Sequence, residues 1–399
     1  MRCIWPNEIR DLFYSLFLFF EEYFLILGSL IKNIISVKNL ILIIGLLLLT
    51  SQLLAQENLD SSKAKKIEYA YYPFAFYTPE TQFAFGVGGL AYTRLGFERE
   101  LQPSKLQASA YYTTNSQYSV SVIPTLYFSG NAKVISESKF IYGKEISKFY
   151  GVGNDTPEIE NPEYEIGLFR FYTEFGFQIG LIKKLHLGLI YEHTINDIID
   201  KRENSLLINN EVVGSDGGNT SGLGFLLIVD HRDNIFYPTM NGFFKFRAIF
   251  NGSDLGSDFT YNRFVVDFRR YFNLGNSHIL AAQIYSDATS GNVPFFKLPA
   301  LGGSNRMRGY FLGRYRDEVY LTWQIEYRKI IWRRIGAVAF FGMGDVASDF
   351  DMLKITQFKY SYGVGLRYVF DEEERLNVRM DIGFGEDTSG LYFSLEEAF

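Results

Sequence analysis

Gly302-Gly303-Ser304-Asn305-Arg306-Met307-Arg308-Gly309-Tyr310 decides how this chain is read. The stretch lies in a segment too long for a simple turn, and strand-like alternation runs on both sides of it. Arg308 brings a fixed positive charge with five donors. Gly309 lets the chain bend tightly beside it. An Arg-Gly-aromatic tip on a glycine-rich loop suits insertion into a polar cavity where the arginine can be pinned.

Working outward, the flanks are strands of one kind. In 319–327, Val319, Leu321, Trp323, Ile325 and Tyr327 make an apolar face; Tyr320, Thr322, Gln324 and Glu326 make a polar one. In 360–368, aromatic and aliphatic residues alternate with Ser361, Gly363, Gly365 and Arg367. In 243–250, Phe244, Phe246, Ala248 and Phe250 oppose Lys245 and Arg247. Period-two alternation, apolar outward and polar inward, is the pattern of a strand between lipid and a wet lumen. A soluble sandwich also alternates, but buries its apolar face on a second sheet. An aromatic content of 17% suits interfacial girdles and favours the membrane reading.

Counting such segments from about 69–77 to 390–398 predicts sixteen strands, all-β and antiparallel, in a transmembrane β-barrel. An even count puts both ends on one side. The 289–315 loop then lies outside, and the turns at 273–276 and 330–333 lie inside. The first segment is the weakest, because Pro73 cannot donate to a ladder. The alternative is that it only leads into the barrel and that 195–219 hides a strand.

The quoted loop resembles the signature loop of the BamA/TamA-type outer-membrane assembly and translocation barrels, the bacterial surface antigen family. The resemblance runs from about Tyr69 to Phe399 and is strongest from Asp230 onward. It implies that the tip, Arg308, Gly309 and Tyr310, folds back into the lumen and that Arg308 meets acids there. Gln324-Ile325-Glu326-Tyr327-Arg328 resembles the family's acidic strand motif and makes Glu326 the expected partner. The family's second acid sits in a Phe-x-Asp-x-Gly segment, which here reads Phe340-Phe341-Gly342-Met343-Gly344. Gly342 replaces that aspartate, and Asp381, opposite in parity to Met380, Ile382 and Phe384, is the expected substitute. A hydrated lumen is expected around this latch. The terminal face of Leu391, Phe393, Leu395 and Phe399 resembles the C-terminal signal by which such barrels are recognised for insertion.

Residues 1–55 read as an extension and signal peptide. Lys38 precedes the apolar run 40–49, and a small residue, Ala55, precedes Gln56. Glu21 and Glu22 make the earlier apolar block costly in a bilayer, which points to a true start at Val37; the alternative is a genuine anchor helix. Residues 56–68 form a short periplasmic lead with no room for the POTRA domains that relatives carry, and 69–399 is the barrel.

Other chemistry is thin. The only cysteine is Cys3, so neither a disulfide framework nor a thiol metal site is expected. His186 and His193 fall on opposite strand faces, so no metal is expected there. Asp230-His231-Arg232-Asp233 reads as a charged, capped turn rather than an acid–base pair. Phe85-Gly86-Val87-Gly88-Gly89 has no helix after it, so it is no phosphate cradle. No Gly-x-Ser-x-Gly elbow occurs, which argues against an enzyme. The net charge of −6 argues against nucleic acid. No cofactor is implied. By resemblance the protein inserts or translocates polypeptide at the outer membrane of a Gram-negative bacterium. Its expected partners are membrane lipid, the barrel-assembly machinery, and a polypeptide client or a separate POTRA protein. A passive pore or structural surface barrel is the alternative.

Overall fold

Alternating segments joined by short turns pair with the next segment in sequence, since a tight turn can only join antiparallel neighbours. The computed structural model describes residues 67–78, 82–93, 102–128, 134–160, 162–179, 184–201, 206–208 and 211–399. The expected extension, signal peptide and Val37 start, and nearly all of the 56–68 lead, lie outside them.

The strands are β1 (Glu68–Thr78), β2 (Gln82–Thr93), β3 (Ser104–Thr113), β4 (Tyr118–Phe128), β5 (Val134–Lys148), β6 (Glu163–Gln178), β7 (Leu185–Lys201), β8 (Gly217–Asp230), β9 (Asn241–Asn251), β10 (Tyr261–Asn273) and β11 (His278–Gly291). Then come β12 (Ala300–Leu301), β13 (Tyr315–Arg316), β14 (Val319–Trp332), β15 (Ile335–Ala347), β16 (Lys359–Asp371), β17 (Leu376–Gly385) and β18 (Thr388–Leu395). All but β12 and β13 form one 16-stranded sheet in sequence order, with β11 passing directly to β14.

The weak first segment is a full strand. β1 pairs with β2 from Glu68↔Tyr92 to Thr78↔Gln82. Pro73 is tolerated because β1 is an edge strand, where a missing N–H breaks no second ladder. Among the described residues of 195–219 there is no hidden strand; the segment extends β7 to Lys201 and begins β8 at Gly217. β14 starts at Val319, and Tyr315–Arg316 just before it belongs to a separate two-residue ribbon with Ala300–Leu301.

The sheet curls on itself, because residues from its two ends meet. Tyr92 on β2 donates its hydroxyl to Asp371 on β16 at 2.5 Å, and Lys105 on β3 pairs with Glu396 at 2.6 Å. The outward face is apolar and aromatic: Tyr71, Phe85 and Leu391 are 80%, 60% and 69% exposed. The inward face carries ion pairs such as Arg263–Asp287 and Arg269–Asp267. This is the division that lipid outside and a polar interior require.

Candidate functional site: the interior latch

Residues 292–318 join β11 to β14. The β12–β13 ribbon closes the neck of this loop and makes its tip a separate hairpin. The tip lies in the lumen against β14–β18. Its backbone is received closely. Gly309 has φ +112, and a Cβ there would stand 2.6 Å from the Phe384 carbonyl carbon. A Cβ on Gly383 would stand 2.6 Å from the Arg308 carbonyl carbon. Both glycines are needed for the approach. Four hydrogen bonds then hold the tip's main chain and ring. Tyr392 Oη accepts from Gly309 N at 2.9 Å, and Thr388 Oγ1 donates to Gly309 O at 2.9 Å. Glu386 N donates to Tyr310 Oη at 2.9 Å. Ser361 Oγ donates to Arg308 O.

The Arg308 side chain is fully buried. Nη2 donates to Glu326 Oε2 at 2.7 Å, and Nη1 donates to Asp381 Oδ2 at 2.6 Å. The structure therefore brings together Arg308 and both acids. The guanidinium also lies 3.4 Å from the centre of the Phe340 ring, whose negative face attracts a cation. With glycine at 342 the second carboxylate comes from β17. Asp345 serves elsewhere, bonding Lys359 at 3.1 Å and Asn154 at 2.9 Å.

Three more arginines surround the acids. Arg328 Nε donates to Glu326 Oε1 at 2.8 Å, and Arg367 Nη1 to Asp381 Oδ1 at 2.5 Å. Arg379 donates to Asn305 Oδ1 at 3.2 Å. Glu326 and Asp381 are 0% exposed and Arg308 1%. The latch is thus deeply buried, more enclosed than the hydrated lumen expected, and its charges are paired with one another.

The C-terminal face is corrected. Leu391 and Phe393 point outward, 69% and 56% exposed, but Phe399 is 4% exposed and does not share their face. β18 ends at Leu395, and Glu396 takes φ +67, which turns the chain inward. The cause is electrostatic. Glu397 on the lipid face would be costly; inside, it accepts from Arg367 Nε at 2.7 Å and Asn377 Nδ2 at 2.8 Å. Phe399 then packs with Tyr271 and Ala281, and its main-chain oxygen accepts from Arg328 Nη2 at 3.0 Å. Arg328 and Arg367 therefore serve both the latch and the tail.

The loop has a second anchor that sequence reasoning missed. Phe295 sits in an apolar cluster with Phe149, Tyr164, Ile166, Leu168 and Leu207 on the opposite wall. Its ring centre is 4.9 Å from that of Phe149. Nothing in the local sequence marks it, since the pair Phe295-Phe296 in a loop has no period. Arg328 was findable, because it shares the parity of Glu326. Beside Phe295, Lys297 Nζ donates to Thr194 Oγ1 at 2.8 Å and faces Glu192 at 3.9 Å. Burial pushes the Lys297 ammonium down to about 8; Glu192 opposes that shift, while Arg263 and Arg170 add to it.

At the opposite end of the lumen the 231–240 turn is charged and capped. Asp230 pairs with Arg232 at 2.7 Å, and Asp233 Oδ1 accepts from Thr239 N at 2.8 Å. The turn also drives Phe236 inward against Leu90, Tyr92 and Leu376. Among the described residues no group of His, Cys, Asp and Glu is placed to hold a metal. The latch seats the loop tip on the inner faces of β14–β18.

A family model described as the Omp85 superfamily domain matches residues 93–372. Among solved structures, the chain is similar to the crystal structure of BamA from Haemophilus ducreyi lacking POTRA domains 1-3. The TM-score is 0.51 at 14% identity, over 83% of this chain and 69% of that one. That is a likeness of fold. Wzi, an outer membrane protein involved in group 1 capsule assembly in Escherichia coli and described as a carbohydrate-binding β-barrel, matches with a TM-score of 0.30 at 11% identity, over 84% of this chain and 83% of Wzi. No curated protein matches.

Proposed function

The chain belongs to the Omp85 superfamily, and from that premise we propose that it inserts polypeptide into, or passes it across, the outer membrane of a Gram-negative bacterium through the seam between β1 and β18. One observation carries the reading. Each strand of the sheet is laddered to its sequence neighbours, but among the described residues no ladder joins β1 to β18. Across that seam the rings of Tyr72 and Phe393 meet edge-on at 6.1 Å. Backbone groups without a ladder are what an incoming strand pairs with. The occupied lumen disfavours a passive pore. A polypeptide client, or a separate periplasmic protein with POTRA domains, is the expected partner, with the barrel-assembly machinery acting during the protein's own insertion. Leu391 and Phe393 are proposed to serve as the outward part of its insertion signal.

The test is to reconstitute the barrel in vesicles and follow the folding of an outer-membrane barrel client, with cysteines introduced at 72 and 393. Accelerated client folding should vanish when the pair is oxidised and return on reduction. No acceleration in the reduced state would leave a structural surface barrel. Acceleration unaffected by oxidation would remove the seam.

A further inference from the structure

The outward wall behind the latch is not uniformly bulky. On β15, Ala337 and Ala339 face outward between Tyr327 and Lys329 of β14 and Val364 and Leu366 of β16. One step along the strands the wall is filled again, with the rings of Trp323 and Phe341 5.7 Å apart. Two methyl groups among large neighbours leave a groove of about 510 Å³.

Lys329 edges that groove. It has the parity of Tyr327 and Ile331, is exposed on the wall, and forms no ion pair among the described residues. An unpaired cation on a lipid-facing strand is costly except near the interface. Lys329 lies near that level, four residues from Arg333 in the short turn to β15. There Trp332 is 60% exposed and the Arg333 guanidinium lies 5.2 Å from the centre of its ring. An indole at this depth marks the head-group level. The lysine stem can run along the groove and lift its ammonium to that level. A group there that is both anionic and joined to an apolar chain satisfies lysine and hollow together.

We propose that this groove holds one anionic glycerophospholipid, an acyl chain over Ala337 and Ala339 and its phosphate on Lys329. The short-turn end is the periplasmic side, where the leaflet is phospholipid, so the occupant is not lipid A. The proposal rests on the wall facing lipid and stands whether or not polypeptide passes the seam.

Native mass spectrometry of the barrel from outer membranes, followed by lipid titration of delipidated protein in nanodiscs, tests it. Wild type should carry one phospholipid and prefer phosphatidylglycerol over phosphatidylcholine by about fivefold, the factor one lysine at an anionic surface contributes. Ala339→Trp should lose the adduct, and Lys329→Gln should keep a lipid but lose the preference. Ala337→Leu serves if Ala339→Trp does not reach the heat-modifiable folded form. No adduct on wild type, an adduct untouched by the filling variants, or a preference untouched by Lys329→Gln would overturn the site. So would lipid A as the bound species, or a dimer that Ala339→Trp dissolves.

Discussion

The loop between β11 and β14 is held at two places by opposite means. At its tip, Arg308 is gripped by two carboxylates and an aromatic face, with four further bonds on the neighbouring main chain and ring. Near its start, Phe295 is buried in an apolar cluster on the far wall. The first anchor needs particular atoms at particular angles, because a fork of donors must match two acids. The second needs only a large apolar side chain of about the right volume. The two should therefore respond differently to conservative changes.

The sharpest break in that contrast is at Gly309. Gly309→Val adds a side chain at φ +112 and 2.6 Å from the Phe384 backbone, so strain and overpacking act together. A cost of about 3 kcal/mol or more is expected. Limited proteolysis should cut within 302–314 while heat-modifiable migration of the barrel persists. An uncut loop would mean that the tip is not received as described.

Next comes the arginine. Arg308→Ala and Glu326→Ala should each weaken the seated loop by about 3 kcal/mol, the low end for breaking a buried pair. The low end applies because neither change strands a bare charge. Glu326 keeps Arg328, and Arg308 keeps Asp381. The double variant, measured by denaturant unfolding in micelles, should fall short of additive. Arg308→Lys should fail nearly as badly, since lysine keeps the charge but not the fork. Full additivity would show that the two residues act separately.

Phe295→Leu should cost less than about 1.5 kcal/mol, in contrast to Arg308→Lys. A loss equal to that of Arg308→Lys would erase the distinction between the anchors.

The contrast also explains what was legible. The sixteen strands follow from period-two alternation, which a sheet between lipid and a polar interior imposes on every segment. The parity of Glu326 and Asp381 placed them on the inner face, and the resemblance supplied Arg308. Phe295 left no trace because its partners are far away in sequence, Phe149 and Leu207 in other loops and Tyr164, Ile166 and Leu168 on β6. The inward turn of Phe399 breaks period-two alternation because Glu397 finds its partners inside, which parity alone does not show. The depth at which the latch is buried was equally invisible, since sequence parity gives facing but not how closely a loop packs on it.

The smallest effect concerns pH. Lys297 loses its proton at about 8 in the seated loop, but only near the ordinary lysine value of about 10.4 once released. Between those values the released loop binds more protons, so seating strengthens as pH rises through that window. Proteolysis near 292–298, normalised to a peptide substrate, should slow between pH 7.5 and 9.5. It should lose that dependence in Lys297→Met. The same dependence in the variant would assign it to another group.

The central claim is that the tip sits sealed inside the barrel through Arg308. The most direct measurement is maleimide labelling of Met307→Cys in folded protein lacking Cys3, with Asp254→Cys as the exposed control, since Met307 is 1% exposed. The cysteine at 307 should stay unlabelled while the control reacts, and adding Arg308→Ala should open it. Labelling at 307 as fast as at 254 with Arg308 intact would contradict the latch.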